Sequence, residues 1–259
     1  MDPDMVQFCK QCQVCQRFKP ARPVKAPLQN MPIGRPRERL GVDILELPES
    51  TADNRYALAV QDYFTKWQRA FPLHNQTAST VAKQLVQLFH QMGPPEMLHT
   101  GQGRTFESSV LKEVWYAFGV KKTRTTPYHP QGDGPVERTN RTILQILRTL
   151  AEKDSQWDEL LPAAALSYNT SQHTSTGFTP YEMMFGRQHF GMNRMADRNQ
   201  QFRYDTSSYH DQLLTRMNKA YYMAKFNLAQ AAERQRRGYN ARTDVKRIFH
   251  VGDAVWLYR

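Results

Sequence analysis

Residues Thr126 to Arg141 read TPYHPQGDGPVERTNR. Pro127, Pro130, Gly132, Gly134 and Pro135 make a stretch that cannot be helix interior, because proline lacks an N–H donor and glycine favours turns. Pro135 sits where a helix can begin, since the first N–H groups of a helix have no intrahelical partner. Val136, Ile143, Leu147 and Leu150 then recur at spacings of seven, four and three, which predicts a helix with one apolar face. Glu137 falls in its first turn, followed by Arg138, Asn140 and Arg141. The helix dipole favours a carboxylate there, so a capped surface helix accounts for these residues. A carboxylate held at the mouth of a turn-rich loop and flanked by arginines also suits a catalytic site.

Upstream, Leu40–Leu47 (LGVDILEL), Tyr56–Tyr63 (YALAVQDY) and Trp67–Leu73 (WQRAFPL) are short apolar runs separated by turn residues, which predicts an antiparallel meander. Ser79–Met92 carries Val81, Leu85, Leu88 and Met92 on one helical face, with Ser79 as the expected cap and Gly93-Pro94-Pro95 as the stop. Glu96–His99 and Val120–Thr125 read as strands on either side of a helix over Glu107–Phe118 that ends at Gly119. Three strands, then alternating helices and strands, then the Glu137 helix describe a mixed α/β fold around a central sheet. Residues 156–186 continue as helix, with Phe178, Tyr181 and Phe185 expected inward. Across 208–238, Leu214, Met217, Tyr221, Ala224, Leu228 and Ala231 recur at three- and four-residue steps, a heptad-like stripe. That stripe suits either a pairing helix or one that packs back on its own core.

The chain has 259 residues, a formal charge of +11 and a pI near 9.7. A basic chain of this kind calls for an acidic partner, most often nucleic acid. From residue 200 onward eleven Lys/Arg stand against five Asp/Glu, so the excess is concentrated at one end. No apolar run approaches the roughly 18 residues of a bilayer span, and no signal-peptide core opens the chain; a nuclear or cytoplasmic protein that is not secreted is expected. All three cysteines lie within residues 9–15, which argues against a disulfide framework. Residues 20–39 hold five of the fifteen prolines and read as an extended linker.

The segment HPQGDGPVERTNRT resembles the corresponding segment of integrases from retroviruses and long-terminal-repeat retrotransposons, the Gypsy-like class above all. The similarity runs on through DYFTKW at Asp62–Trp67 and STGFTPYEMMFG at Ser175–Gly186. The resemblance implies a ribonuclease-H-like core, a mixed sheet with flanking helices, over residues 40–190. It also implies a D,D-35-E triad of metal-binding carboxylates for two-metal strand transfer, which needs acidic groups from separate elements around two divalent ions. Asp43 in LGVDIL matches the first position and Glu137 the third. The second position is Gly101 in TGQGRTF, with thirty-five residues between it and Glu137. Glycine binds no metal, and Glu107, His99 and Asp133 are no obvious substitutes. Loss of one carboxylate weakens Mg2+ (or Mn2+) binding and leaves Asp43 and Glu137 to repel each other. The expectation is an impaired enzyme.

CQVCQRFK resembles the second half of the integrase HHCC zinc module over residues 1–19, with Cys12 and Cys15 as the matching cysteines. Its two histidines are absent, so the zinc site is incomplete and needs a longer chain. Residues 200–245 are expected to be a basic helical connector. FHVGDAVWLYR, within 246–259, resembles the opening strand of the SH3-like barrel that follows the integrase core. Asp62 and Trp67 are read as structural. DNA affinity rests on phosphate contacts rather than on the triad, with Lys121, Lys122, Arg124, Gln131, Arg138 and Arg141 as candidate contacts. The resemblance further implies a homodimer or higher oligomer, and no membrane. Three readings stand: an integrase-derived DNA-binding protein with an impaired site, a working integrase or nuclease with a substitute ligand, and a domesticated non-catalytic interaction or oligomerisation module.

Overall fold

A computed structural model describes residues 2–12, 32–125, 134–151, 154–189 and 206–241. The chain divides into two compact units, Met1–Met31 with Ala232–Arg259, and Pro32–Ala231. In the first, α1 (Pro3–Gln11) starts at Asp2, whose carboxylate accepts from the Asp4 N–H at 3.2 Å. Cys9 there is a free thiol, Cys12 is half-buried, and Cys15 lies outside the described residues.

The second unit is built on a five-stranded sheet of β1 (Arg39–Glu46), β2 (Tyr56–Asp62), β3 (Gln68–Leu73), β4 (Met97–Thr100) and β5 (Lys121–Arg124). Its order is β3-β2-β1-β4-β5; β1 to β3 form the antiparallel meander, and β4 and β5 run parallel to β1. Because side chains alternate across a strand, β1 serves two layers. Leu40 and Val42 face α2 (Ala78–Met92) and α3 (Ser109–Ala117), packing with Val81, Leu85, Leu88, Phe89, Leu111 and Trp115. Gly41, Asp43 and Leu45 therefore face the opposite layer, α4 (Gly134–Leu150) and α5 (Trp157–Thr170), where Ile143, Leu147, Trp157 and Leu161 close over Ala57. Fully burying one such Leu or Ile contributes ~1.5–3 kcal/mol. This is the ribonuclease-H-like arrangement expected above.

Local differences have local causes. Ser79 is not the cap of α2: the helix starts one residue earlier, with Thr77 at the N-cap making no side-chain cap bond. The Asn75 side-chain Oδ1 instead accepts from the Thr77 N–H (3.1 Å) and from the Thr77 and Thr80 hydroxyls (2.8 Å each). The expected helix from Glu107 begins only at Ser109, because Arg104–Glu107 forms a tighter 3-10 turn and the Ser108 hydroxyl caps the Leu111 N–H. Gly93, at φ +79, ends α2 in a conformation that favours glycine.

α6 (Pro180–Phe185) and α7 (Thr206–Asn240) follow. The apolar stripe of α7 packs back on its own core: Ala220, Ala224 and Leu228 are buried with Phe64 and Met183, and Tyr221 and Phe178 pack against them. Leu214 does not share in this and is 45% exposed. Phe185, expected inward, is 42% exposed and meets the edge of Trp67 at 5.0 Å between ring centroids. Trp67 is half-buried against Phe185 and Tyr181, as a packing residue. Asp62 is also structural: it is 1% exposed and accepts from the Thr65 hydroxyl (2.6 Å) and the Thr65 and Phe64 N–H groups.

Candidate active site

Asp43 stands on β1, half-buried, facing α4. Its Oδ1 accepts the Ile44 N–H at 2.9 Å and its Oδ2 accepts the Asn140 side-chain amide at 3.0 Å. Asn140 lies one turn along α4 from Glu137, so this bond fixes the helix over the strand. Burial raises the Asp43 pKa above the ordinary carboxylate value and the Glu137 charge raises it further, against the lowering effect of the two hydrogen bonds. Glu137 is exposed at the start of the helix. Two of the three expected carboxylates thus converge.

Gly101 follows the end of β4 directly and brings no side chain. β1 and β4 pair in parallel with Val42 opposite Thr100, so one residue further Gly101 comes level with Asp43. His99, level with Gly41, shares the Asp43 face but turns its Nδ1 to the Thr123 hydroxyl at 2.8 Å. Glu107 is committed elsewhere: its Oε1 lies 2.5 Å from the Lys122 ammonium and 3.9 Å from Arg124. The Lys122 hydrogen bond is the largest influence lowering the Glu107 pKa. Asp133 lies outside the described residues. Among the described residues no group of three His, Cys, Asp or Glu side chains could hold a metal ion.

The basic residues separate into two kinds. Lys121, Arg124, Arg138 and Arg141 are exposed, whereas the Lys122 side chain is 15% exposed and also donates to the Phe106 carbonyl at 2.7 Å. Gln131 lies outside the described residues.

What holds α4 in place is not apparent from the sequence. Gln61 donates to the Thr139 hydroxyl (2.6 Å) and the Tyr168 hydroxyl (3.2 Å), tying β2, α4 and α5 together in a buried network. Gly41 lets the helix approach, since a Cβ there would meet Val136 and the Tyr63 ring. The one hint in the sequence is two adjacent polar residues, Thr139 and Asn140, in an amphipathic helix.

His173, just past α5, has its pKa pushed down to about 4 from 6.5, by burial first and then by the charges of Lys66 and Arg138. Between those pH values the unfolded chain binds a proton that the folded chain refuses, so stability rises with pH across the interval. Unfolding in urea is expected to show a loss of ~2–3 kcal/mol between pH 7 and pH 4 from this group. His173→Gln should flatten that part of the profile, and an unchanged profile would refute the assignment.

Residues 34–130 match the integrase core domain family. Over 229 residues the chain is 30% identical to the retrovirus-related Pol polyprotein from transposon 412 of Drosophila melanogaster, covering 85% of this chain and 18% of that protein. It is 31% identical over 188 residues to the Gypsy retrotransposon integrase-like protein 1 of Mus musculus, covering 71% of this chain and 36% of that one. The chain therefore spans well under half the length of these relatives. In fold it is similar to a chain of the simian T-cell lymphotropic virus intasome solved in complex with PP2A regulatory subunit B56 gamma, with a TM-score of 0.54, 19% identity, and 69% of this chain and 65% of that one covered. The mixed sheet with its flanking helices agrees with these similarities: residues 34–130 are similar to the integrase core domain, and the chain is similar to segments of a retrotransposon Pol polyprotein and of a Gypsy integrase-like protein.

Proposed function

We propose that this chain is an integrase-derived DNA-binding protein of an LTR retroelement, impaired in strand transfer by Gly101. One observation carries the reading: the Glu137 charge acts on Asp43 across the start of α4, and Gly101, the residue that follows β4 beside β1, has no side chain. Integrase core domains generally use divalent metals. Here both Asp43 oxygens already accept hydrogen bonds, Glu137 is the one other carboxylate facing them among the described residues, and Glu107 is held by Lys122. This donor set does not fit a pair of Mg2+ ions, each of which wants several hard oxygen ligands. Lys121, Arg124, Arg138 and Arg141 remain as phosphate contacts, with Lys122 structural. Residues 40–190 act as the core, 200–245 as a basic connector, and the chain works as an oligomer on DNA.

Two measurements on the unaltered chain test this. Anisotropy of a labelled duplex should give a log affinity that falls linearly with log salt, losing about tenfold or more between 50 and 200 mM. Affinity that is absent or indifferent to salt would leave only a non-catalytic interaction module. Nicking and strand transfer with Mg2+ or Mn2+ should stay at background; metal-dependent product from the unaltered chain would mean a working site with a substitute ligand.

A further inference from the structure

α7 leaves two aromatic rings largely in water. Ala220, Ala224 and Leu228 turn one side of the helix to Phe64 and Met183. On the other side Tyr222 is 79% exposed and Phe226 is 61% exposed. Residues four apart are neighbours on a helix surface, so the two rings form one stripe, bordered by Met223 at 44% exposed. A single exposed apolar side chain is ordinary, whereas contiguous ones mark an interaction surface.

Cations stand on both sides of the stripe. Turning about 100° per residue, the helix places Lys219 on one flank of the rings and Lys225 on the other. Both lysines are exposed, and among the described residues neither has a carboxylate partner. Between Gln212 and Ala231 the helix holds Arg216, Lys219 and Lys225 and no Asp or Glu. A second copy of this stretch would set like charges against each other with no acid to pair them, which is costly. The face fits a partner that is anionic and also has flat apolar surfaces. A nucleotide has both, in its phosphate and its base. One turn separates the rings by about 6 Å along the helix, against about 3.4 Å between stacked bases of a duplex strand. Bases can lie on both rings only when they are unstacked, as in a single strand.

We propose that Tyr222 and Phe226 form a stacking platform for two bases of a single-stranded nucleic acid, with Lys219 and Lys225 on the neighbouring phosphates. The inference rests on the DNA-binding reading above. It adds a surface for unpaired strands, made of residues other than the duplex contacts of β5 and α4.

The test is an anisotropy titration of two labelled ligands, an oligothymidylate of about 15 nucleotides and a duplex. The unaltered chain is compared with a variant carrying Tyr222→Leu and Phe226→Leu, which keeps the apolar area and removes the rings. Both positions are exposed, so the melting temperature should stay the same. Oligothymidylate affinity should fall at least about tenfold while duplex affinity holds. Lys219→Met with Lys225→Met should reduce the single-strand salt slope by about 0.7 per lysine. An iodouracil-bearing strand should crosslink to Tyr222 or Phe226. Tyr222→Phe with Phe226→Tyr keeps both rings and should keep the affinity; a loss there as well would mean a structural role and overturn the proposal. Oligothymidylate affinity unchanged by the leucines, with duplex binding still salt-dependent, defeats this inference alone. Equal losses on both ligands would make the rings part of general DNA binding, and the single-strand assignment falls. If the leucines abolish self-association and leave oligothymidylate affinity unchanged, the face pairs copies of this chain instead. If the unaltered chain binds neither ligand, the DNA-binding reading fails and this inference with it.

Discussion

Gly101→Asp is expected to give the protein a Mg2+-dependent thermal shift that the unaltered chain lacks. The β1–β4 register ends with Val42 opposite Thr100, and continuing it by one residue brings the new carboxylate level with Asp43, on which the Glu137 charge already acts. Without metal the substitution brings a third negative charge to the site; it raises the Asp43 pKa further and lowers stability by ~1 kcal/mol. With metal the sign reverses. A ligand that binds only the folded state at ten times its Kd stabilises by about 1.4 kcal/mol, and three converging carboxylates are the donor set that two hard divalent ions require. Metal-dependent nicking and strand transfer should then rise at least about a hundredfold, ~2.7 kcal/mol at the transition state. Adding Asp43→Asn to Gly101→Asp should erase both the shift and the product. A Gly101→Asp protein that melts at the same temperature with and without Mg2+ would show that position 101 does not complete the site.

The second large effect is one of packing. Gly41→Ala is expected to lower stability by ~2–3 kcal/mol, because the added methyl overlaps two groups that cannot step aside. One is Val136, 1% exposed and stiff at its branched Cβ; the other is the Tyr63 ring, 2.6 Å from the new carbon and set edge-on against His99. The first turn of α4 must lift, and it carries Glu137 away from Asp43. Urea unfolding should show a lower midpoint with an unchanged slope. Gly103→Ala is the control, since its new carbon meets nothing closer than Phe106 at 3.6 Å, and its stability should stay within ~0.5 kcal/mol of the unaltered chain. Equal losses at the two positions would mean that close approach at Gly41 is not what seats the helix.

Much of the fold and of the site is legible in the sequence, for reasons of period and punctuation. The 3.6-residue recurrence of Val136, Ile143 and Leu147 after a Pro/Gly stretch marks a helix whose first turn carries Glu137. Alternation and turn residues mark β1 to β3, and Gly93 and Gly119 mark two helix ends. Asp43, Gly101 and Glu137 can each be placed on its own element, because motif and element are local properties of the chain.

What lies beyond reach depends on contacts between distant residues. That Thr100, the residue before Gly101, lies opposite Val42, the residue before Asp43, follows from a parallel register between strands some sixty residues apart, and no local pattern encodes it. The same holds for charge. Lys122 and Arg124 look alike as two residues of one basic strand, yet both reach Glu107, the Lys122 ammonium at 2.5 Å and mostly buried, the Arg124 guanidinium at 3.9 Å and exposed. Lys66 and His173, more than a hundred residues apart, share the field of Arg138 only once β2, α4 and α5 are stacked. Residue types and periodicity alone determined which elements form and which carboxylates they carry; long-range packing, which brings remote charges into one dielectric and one register, decided which of those side chains are available to act.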